Sequence, residues 1–124
     1  MSEPGFSIAE RLQSFRHAAR GVALMARTQH NARIHLAATL VVVALGWWLR
    51  ISTADWRWLV LAIALVWAAE AMNTAFEYLC NVVSPEFHSS VEKAKDIGAG
   101  AVLICACGAV VLGALTLWPY LRLQ

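Results

Sequence analysis

Charge is scarce in this chain: only 15% of its 124 residues are Asp, Glu, Lys or Arg, while 60% are hydrophobic. Soluble domains carry roughly 25% charged and 45–50% apolar residues. One small soluble core cannot hide that much apolar surface, so lipid is expected to cover the rest. Basic tracts are missing and the net charge is +2, which argues against nucleic acid as a partner. The opening stretch Met1 to Arg16 lacks an apolar core and an A-x-A cleavage site, so it is expected to stay on the mature protein and not to act as a secretory signal. Cysteine is limited to Cys80, Cys105 and Cys107. These form no metal pattern and are expected to be free, buried, small hydrophobes. No Walker A motif and no protein-kinase glycine or catalytic loop occurs; the Asp96-Ile97-Gly98 triplet stands outside that context.

Three apolar stretches dominate what is there: Ile34 to Leu49, Trp58 to Cys80, and Ile97 to Leu121, the last without a charge. At about 1.5 Å per residue, the second and third can each cross a hydrocarbon layer of about 30 Å, while the first is short and is expected to extend backward through Ala32. The runs lack the alternation of barrel strands, and only helices or closed barrels satisfy the backbone in lipid. The sequence therefore predicts an all-α integral membrane protein, one domain over residues 1–124, with spans of about 32–50, 57–80 and 96–120. An amphipathic helix over about 7–30 precedes them. There Ile8, Leu12, Phe15, Ala19, Val22 and Met25 or Ala26 recur at three- and four-residue steps, with Arg11, Arg16, Arg20 and Arg27 between them. Such a helix lies on the membrane surface; docking wholly on the other helices is the alternative.

The cationic flanks predict the orientation. Arg11, Arg16, Arg20, Arg27 and Arg33 precede the first span, and Lys93 and Lys95 lie between the second and third, against Arg50, Arg57 and Arg122 on the other side. A multi-pass protein of the plasma (inner) membrane with a cytoplasmic N-terminus and second loop follows. Trp47, Trp48, Trp56, Trp58 and Trp118 read as interfacial anchors at the opposite edge. The second span is expected to end at Pro85, with Ser89 and Glu92 capping the start of the third. Ala101, Cys105, Ala109 and Gly113 form a ladder of small residues suited to close helix packing.

Glu70 lies well inside the second apolar run, where a carboxylate is expensive and is by default a candidate site. Asn73, Glu77 and Asn81 follow on the same helical face. A polar stripe thus descends from inside the bilayer toward Glu86, His88, Lys95 and Asp96 at the water boundary. Helix-to-helix glue is the bland reading of such a stripe. Two functional readings stand beside it: an enzyme acting on a membrane lipid with Glu70 as base, or a small proton-coupled exporter with Glu70 as proton carrier. The mixed carboxylates and cations at the boundary suit a polyphosphate with its magnesium. The residues alone lead to a cytosol-facing site for a charged ligand, next to lipid.

The wording E-A-M-N-T-A-F-E-Y-L-C-N-V-V-S-P-E-F-H, followed by A-K-D-I-G-A-G-A-V-L-I, closely resembles the prokaryotic diacylglycerol kinase family, which includes undecaprenol kinases. It joins E-x-x-N-T-A-x-E to S-P-E-F-H and A-K-D. A weaker likeness over Arg20 to Leu36 extends the resemblance to about Phe15–Leu115. The resemblance implies a homotrimer of three-span subunits with a surface N-terminal helix, using ATP and Mg²⁺ to phosphorylate a membrane lipid alcohol, diacylglycerol or undecaprenol. By position, Glu70 is similar to the catalytic base and Asn73 to its substrate-orienting neighbour. Glu77 is similar to the metal-holding glutamate, and Lys95 and Asp96 to the nucleotide-binding pair. Glu86, Phe87 and His88 match the connector lining the nucleotide site, and His17 the surface-helix position near the nucleotide. Two positions depart from the pattern: Gln29 stands where many members have a second metal-binding Glu, and Asn81 where Asp is common. Both remove negative charge from the nucleotide side, which keeps a catalytically inactive relative among the alternatives.

Overall fold

The computed structural model describes residues 5–124; Met1 to Pro4, part of the opening stretch discussed above, lie outside the described residues. Four helices follow in order: α1 (Ile8–Thr28), α2 (His30–Trp48), α3 (Thr53–Val83) and α4 (Ser89–Leu121). The last three are long and apolar enough to cross a membrane.

Ser7 starts α1 by accepting the Glu10 N–H on its side-chain oxygen. The break between α1 and α2 is a single residue, Gln29, extended at φ −97° and ψ 123°. No glycine or proline marks it. Arg33 holds the corner instead, its guanidinium donating to the Arg27 carbonyl at 2.6 Å and so satisfying a carbonyl at the end of α1. On α1 only Met25 is buried, while Ile8, Leu12, Phe15 and Val22 are exposed. This helix is not docked wholly on the others.

The turn from α2 to α3 is a Schellman motif. Ile51 N–H donates to the Gly46 carbonyl and Arg50 N–H to that of Trp47, both at 3.2 Å. Arg50 takes the left-handed conformation, φ 53°, that glycine adopts at lower cost. The turn folds Leu49 and Ile51 onto Leu59 and Leu117, forming the buried apolar cluster of the bundle, with Trp56 and Tyr120 packed against it. Trp47, Trp48, Trp58 and Trp118 are exposed. Trp56 is different: its ring closes over Gly46, where a Cβ would meet it at 2.8 Å, so it is a packing residue.

At the same end, Tyr120 ties α4 to α3. Its hydroxyl donates to Asp55 Oδ2 at 2.5 Å and accepts the Ser52 N–H at 3.0 Å. At the other end α3 stops at Val83, two residues before Pro85. The expected Ser89 cap is corrected: His88 is the N-cap of α4, its Nδ1 accepting the Ser90 N–H at 3.2 Å. The extended backbone of His88 brings the imidazole over the first turn, which leaves Ser89 inside the helix. The cysteines are free, but only Cys80 is buried; Cys105 is half-buried and Cys107 exposed, the two standing on different faces of α4.

Candidate functional site

The buried face of α3 changes character along its length. Leu59, Ala62 and Val66 come first, then Glu70, Asn73 and Thr74, then Cys80. Three- and four-residue spacing keeps them on one side, so the apolar seam that packs the bundle runs directly into a polar one. Exposure then rises toward the helix end: Glu70 is 2% and Asn73 8% exposed, Glu77 is half-buried and Asn81 exposed. The stripe expected from spacing is thus a graded path from interior to edge.

Within it the bonds are sparse. Thr74 Oγ1 reaches Glu70 Oε1 at 3.5 Å, at the limit of a hydrogen bond. Asn73 Nδ2 donates to Glu77 Oε1 at 3.4 Å. From α2, His35 Nε2 stands 3.3 Å from Glu70 Oε2, close but without hydrogen-bond alignment. Among the described residues, the buried side-chain polar atoms left without a partner are His35 Nε2, Glu70 Oε2 and Asn73 Oδ1. All three belong to this site. An unsatisfied buried polar atom costs about 1–3 kcal/mol, and more for a charged group, and a native fold keeps few of them.

Gly98 of α4 makes room for this cluster. A Cβ there would lie 2.6 Å from Asn73 Oδ1. One turn earlier on α4, Lys95 donates to Asn81 Oδ1 at 2.7 Å, so the ammonium is held at the mouth of the stripe by a neutral amide.

The other residues singled out by sequence are spread around this core. Asp96 is exposed, as are Glu86, Phe87 and His88 of the connector and His17 of α1. His88 is engaged in capping α4 and lines a small cleft with Phe76, Cys80 and Val91. Gln29 lies at the α1–α2 corner, half-buried, its amide near Thr28 Oγ1 at 3.4 Å. Among the described residues no three His, Cys, Asp or Glu side chains converge as a metal site. Five residues around the site were not singled out by sequence: His35, Thr39, Trp67, Thr74 and Gly98. His35 had a signal, since it is a histidine inside the first apolar run, but its partner lies on another helix.

Fold and site together define a small helical protein with three helices long and apolar enough to cross a membrane, a buried carboxylate and amide on α3, and an ammonium held on Asn81 toward the end of that helix. Comparison with known proteins identifies the class further. Residues 16–117 match the family described as prokaryotic diacylglycerol kinase. Over 109 residues the chain is 34% identical to an undecaprenol kinase of Bacillus subtilis, covering 88% of this chain and 89% of that one. It is 37% identical over 109 residues to a diacylglycerol kinase of Synechocystis sp., covering 87% and 62%, and 31% identical over 83 residues to a diacylglycerol kinase of Escherichia coli, covering 67% and 68%. The chain belongs to the prokaryotic diacylglycerol kinase family and is a lipid kinase.

Proposed function

We propose that this protein transfers the γ-phosphate of ATP to the hydroxyl of a membrane lipid alcohol, diacylglycerol or undecaprenol, at the cytoplasmic face of the plasma membrane. The buried Glu70 carboxylate, with Oε2 unpaired and Oε1 reached only by the long Thr74 contact, carries this reading, since such a group has an oxygen free to accept a hydroxyl proton. Glu70 takes that proton as the lipid oxygen bonds to the γ-phosphorus in line. The bond from the γ-phosphorus to the β-phosphate oxygen breaks, and its electron pair leaves with ADP. Asn73 orients the alcohol through Oδ1.

Lys95, at the mouth of the stripe, supports the charge spreading over the transferred group. Asp96, Glu86, Phe87 and His88, with His17, flank the nucleotide. Mg²⁺ is bound in proteins through one or two carboxylates together with substrate phosphates. The half-buried Glu77 and the carbonyl of Gln29 fit that donor set, and the ion would neutralise phosphate charge. In this reading α1 rests on the membrane surface, which its exposed apolar residues support, and the N-terminus and second loop are cytoplasmic, which the cationic flanks support. The exposed apolar faces of α2 and α4 are covered by lipid and by the other subunits of a homotrimer.

The test is transfer of labelled γ-phosphate to a panel of diacylglycerol and undecaprenol by purified protein in detergent, with Mg²⁺ varied. Label on one of these lipids is the expected result, lost in Glu70→Gln. No label on any lipid at saturating Mg²⁺, from a folded protein, would overturn the reading.

A further inference from the structure

His35 is the side chain from outside α3 that meets the Glu70 carboxylate. Its Nε2 stands 3.3 Å from Oε2, and both atoms are buried without another partner. A buried ring nitrogen and a buried carboxylate oxygen left facing each other are satisfied only by bonding to each other or to something that enters between them. The ring is held in place by its neighbours. Thr39, one turn further along α2, donates its hydroxyl to the His35 carbonyl at 2.7 Å and accepts the Trp67 indole N–H at 3.0 Å. The Trp67 ring meets the imidazole edge-on, with centroids 6.5 Å apart and planes at 66°. Trp67 precedes Glu70 by less than one turn of α3, so one set of contacts fixes both the imidazole and the helix carrying the carboxylate. His35 also lines, with Thr39, Ala62 and Val66, an apolar groove of about 910 Å³ between α2, α3 and α4. The imidazole therefore stands between the carboxylate and an apolar compartment.

We propose that His35 is a positioning residue for Glu70 in lipid phosphorylation. Protonated at Nε2, the ring donates to Glu70 Oε2, which turns Oε1 toward the substrate hydroxyl. Oε1 carries only the long contact from Thr74 and is free to take the proton. His35 keeps its own proton throughout, so the balance of the transfer is unchanged. This role rests on Glu70 acting as the base.

Steady-state kinetics of full-length His35→Leu, His35→Gln, Thr39→Val and Glu70→Gln, with ATP, Mg²⁺ and lipid alcohol in mixed micelles, test it. Loss of the donor in His35→Leu should lower kcat on the order of 10- to 100-fold with KM for ATP and for lipid unchanged. His35→Gln, which restores an N–H at similar reach, should recover most of that loss. Thr39→Val, which removes the acceptor that holds the Trp67 indole beside the ring, should lower kcat by a smaller factor at unchanged KM. Wild-type kcat in His35→Leu would overturn the proposal, and so would a folded His35→Gln as slow as His35→Leu. Should His35→Leu not fold, wild-type kcat in Thr39→Val would overturn it. An inactive Glu70→Gln beside a fully active His35→Leu removes His35 alone, whereas an active Glu70→Gln removes the base as well.

Discussion

Gly98 of α4 sits against the Asn73 amide of α3 so closely that a methyl group in place of its hydrogen would lie 2.6 Å from Asn73 Oδ1. That approach is shorter than real Cβ contacts, and the groups that could yield are a buried amide and the helix pair itself. Overpacking of this kind costs about 1–3 kcal/mol. Gly98→Ala should therefore lower the thermal midpoint in detergent and cut kinase activity by more than the stability loss alone would, because Asn73 is displaced from Glu77. An unchanged midpoint and rate would mean that α3 and α4 sit further apart.

Removing the proposed base is the sharpest chemical test. Glu70→Gln keeps the shape of the side chain and takes away the proton acceptor. General-base catalysis is worth about 10²–10⁴-fold, so turnover should fall by at least that range while the fold and ATP binding persist. Phosphate-transfer rates and ATP affinity measured on the same preparation decide the point.

Metal dependence separates Glu77 and Gln29 from the base. Glu77→Gln should raise the Mg²⁺ concentration needed for half-maximal rate. Gln29→Glu should lower it, because a carboxylate at the α1–α2 corner holds a hard cation better than an amide oxygen does. Magnesium titrations of the initial rate read both, and an unmoved midpoint would take the residue away from the ion.

Tyr120 offers a control at the far end. Its hydroxyl joins Asp55 of α3 and the Ser52 N–H to α4, and loss of a hydrogen bond to a charged group costs about 1.5–3 kcal/mol when buried. Asp55 is half-buried, so Tyr120→Phe should cost about 1 kcal/mol after allowance for solvent screening. Thermal unfolding should show the drop. The magnesium and ATP dependence of the rate should not move, since the change lies at the opposite end of α3 from Glu77 and Lys95.

Much of this molecule could be read before its structure. The apolar runs are long enough that no other element satisfies their backbone in lipid, so the three long helices were legible as spans. The stripe of Glu70, Asn73, Glu77 and Asn81 was legible because a helix puts every third or fourth residue on one side. Its grading from the buried Glu70 to the exposed Asn81 follows from that spacing and from the ends of the helix. The family signature was legible too, because E-x-x-N-T-A-x-E and S-P-E-F-H are local strings.

What lies between helices had no such local trace. The meeting of His35 with Glu70, the shelter Gly98 makes for Asn73, and the hold of Asn81 on Lys95 join residues on different helices, and each depends on how far one helix turns and slides against its neighbour. The cap of α4 moved from Ser89 to His88 for a related reason, since the path of the connector after Pro85 decides which side chain meets the first free N–H groups. By itself the sequence determined which segments are helical and which face of α3 is polar, because helix periodicity and the cost of bare backbone in lipid act along a single segment. Tertiary packing alone decided which polar atoms around Glu70 are bonded and which are left open, because that depends on the distances between α2, α3 and α4.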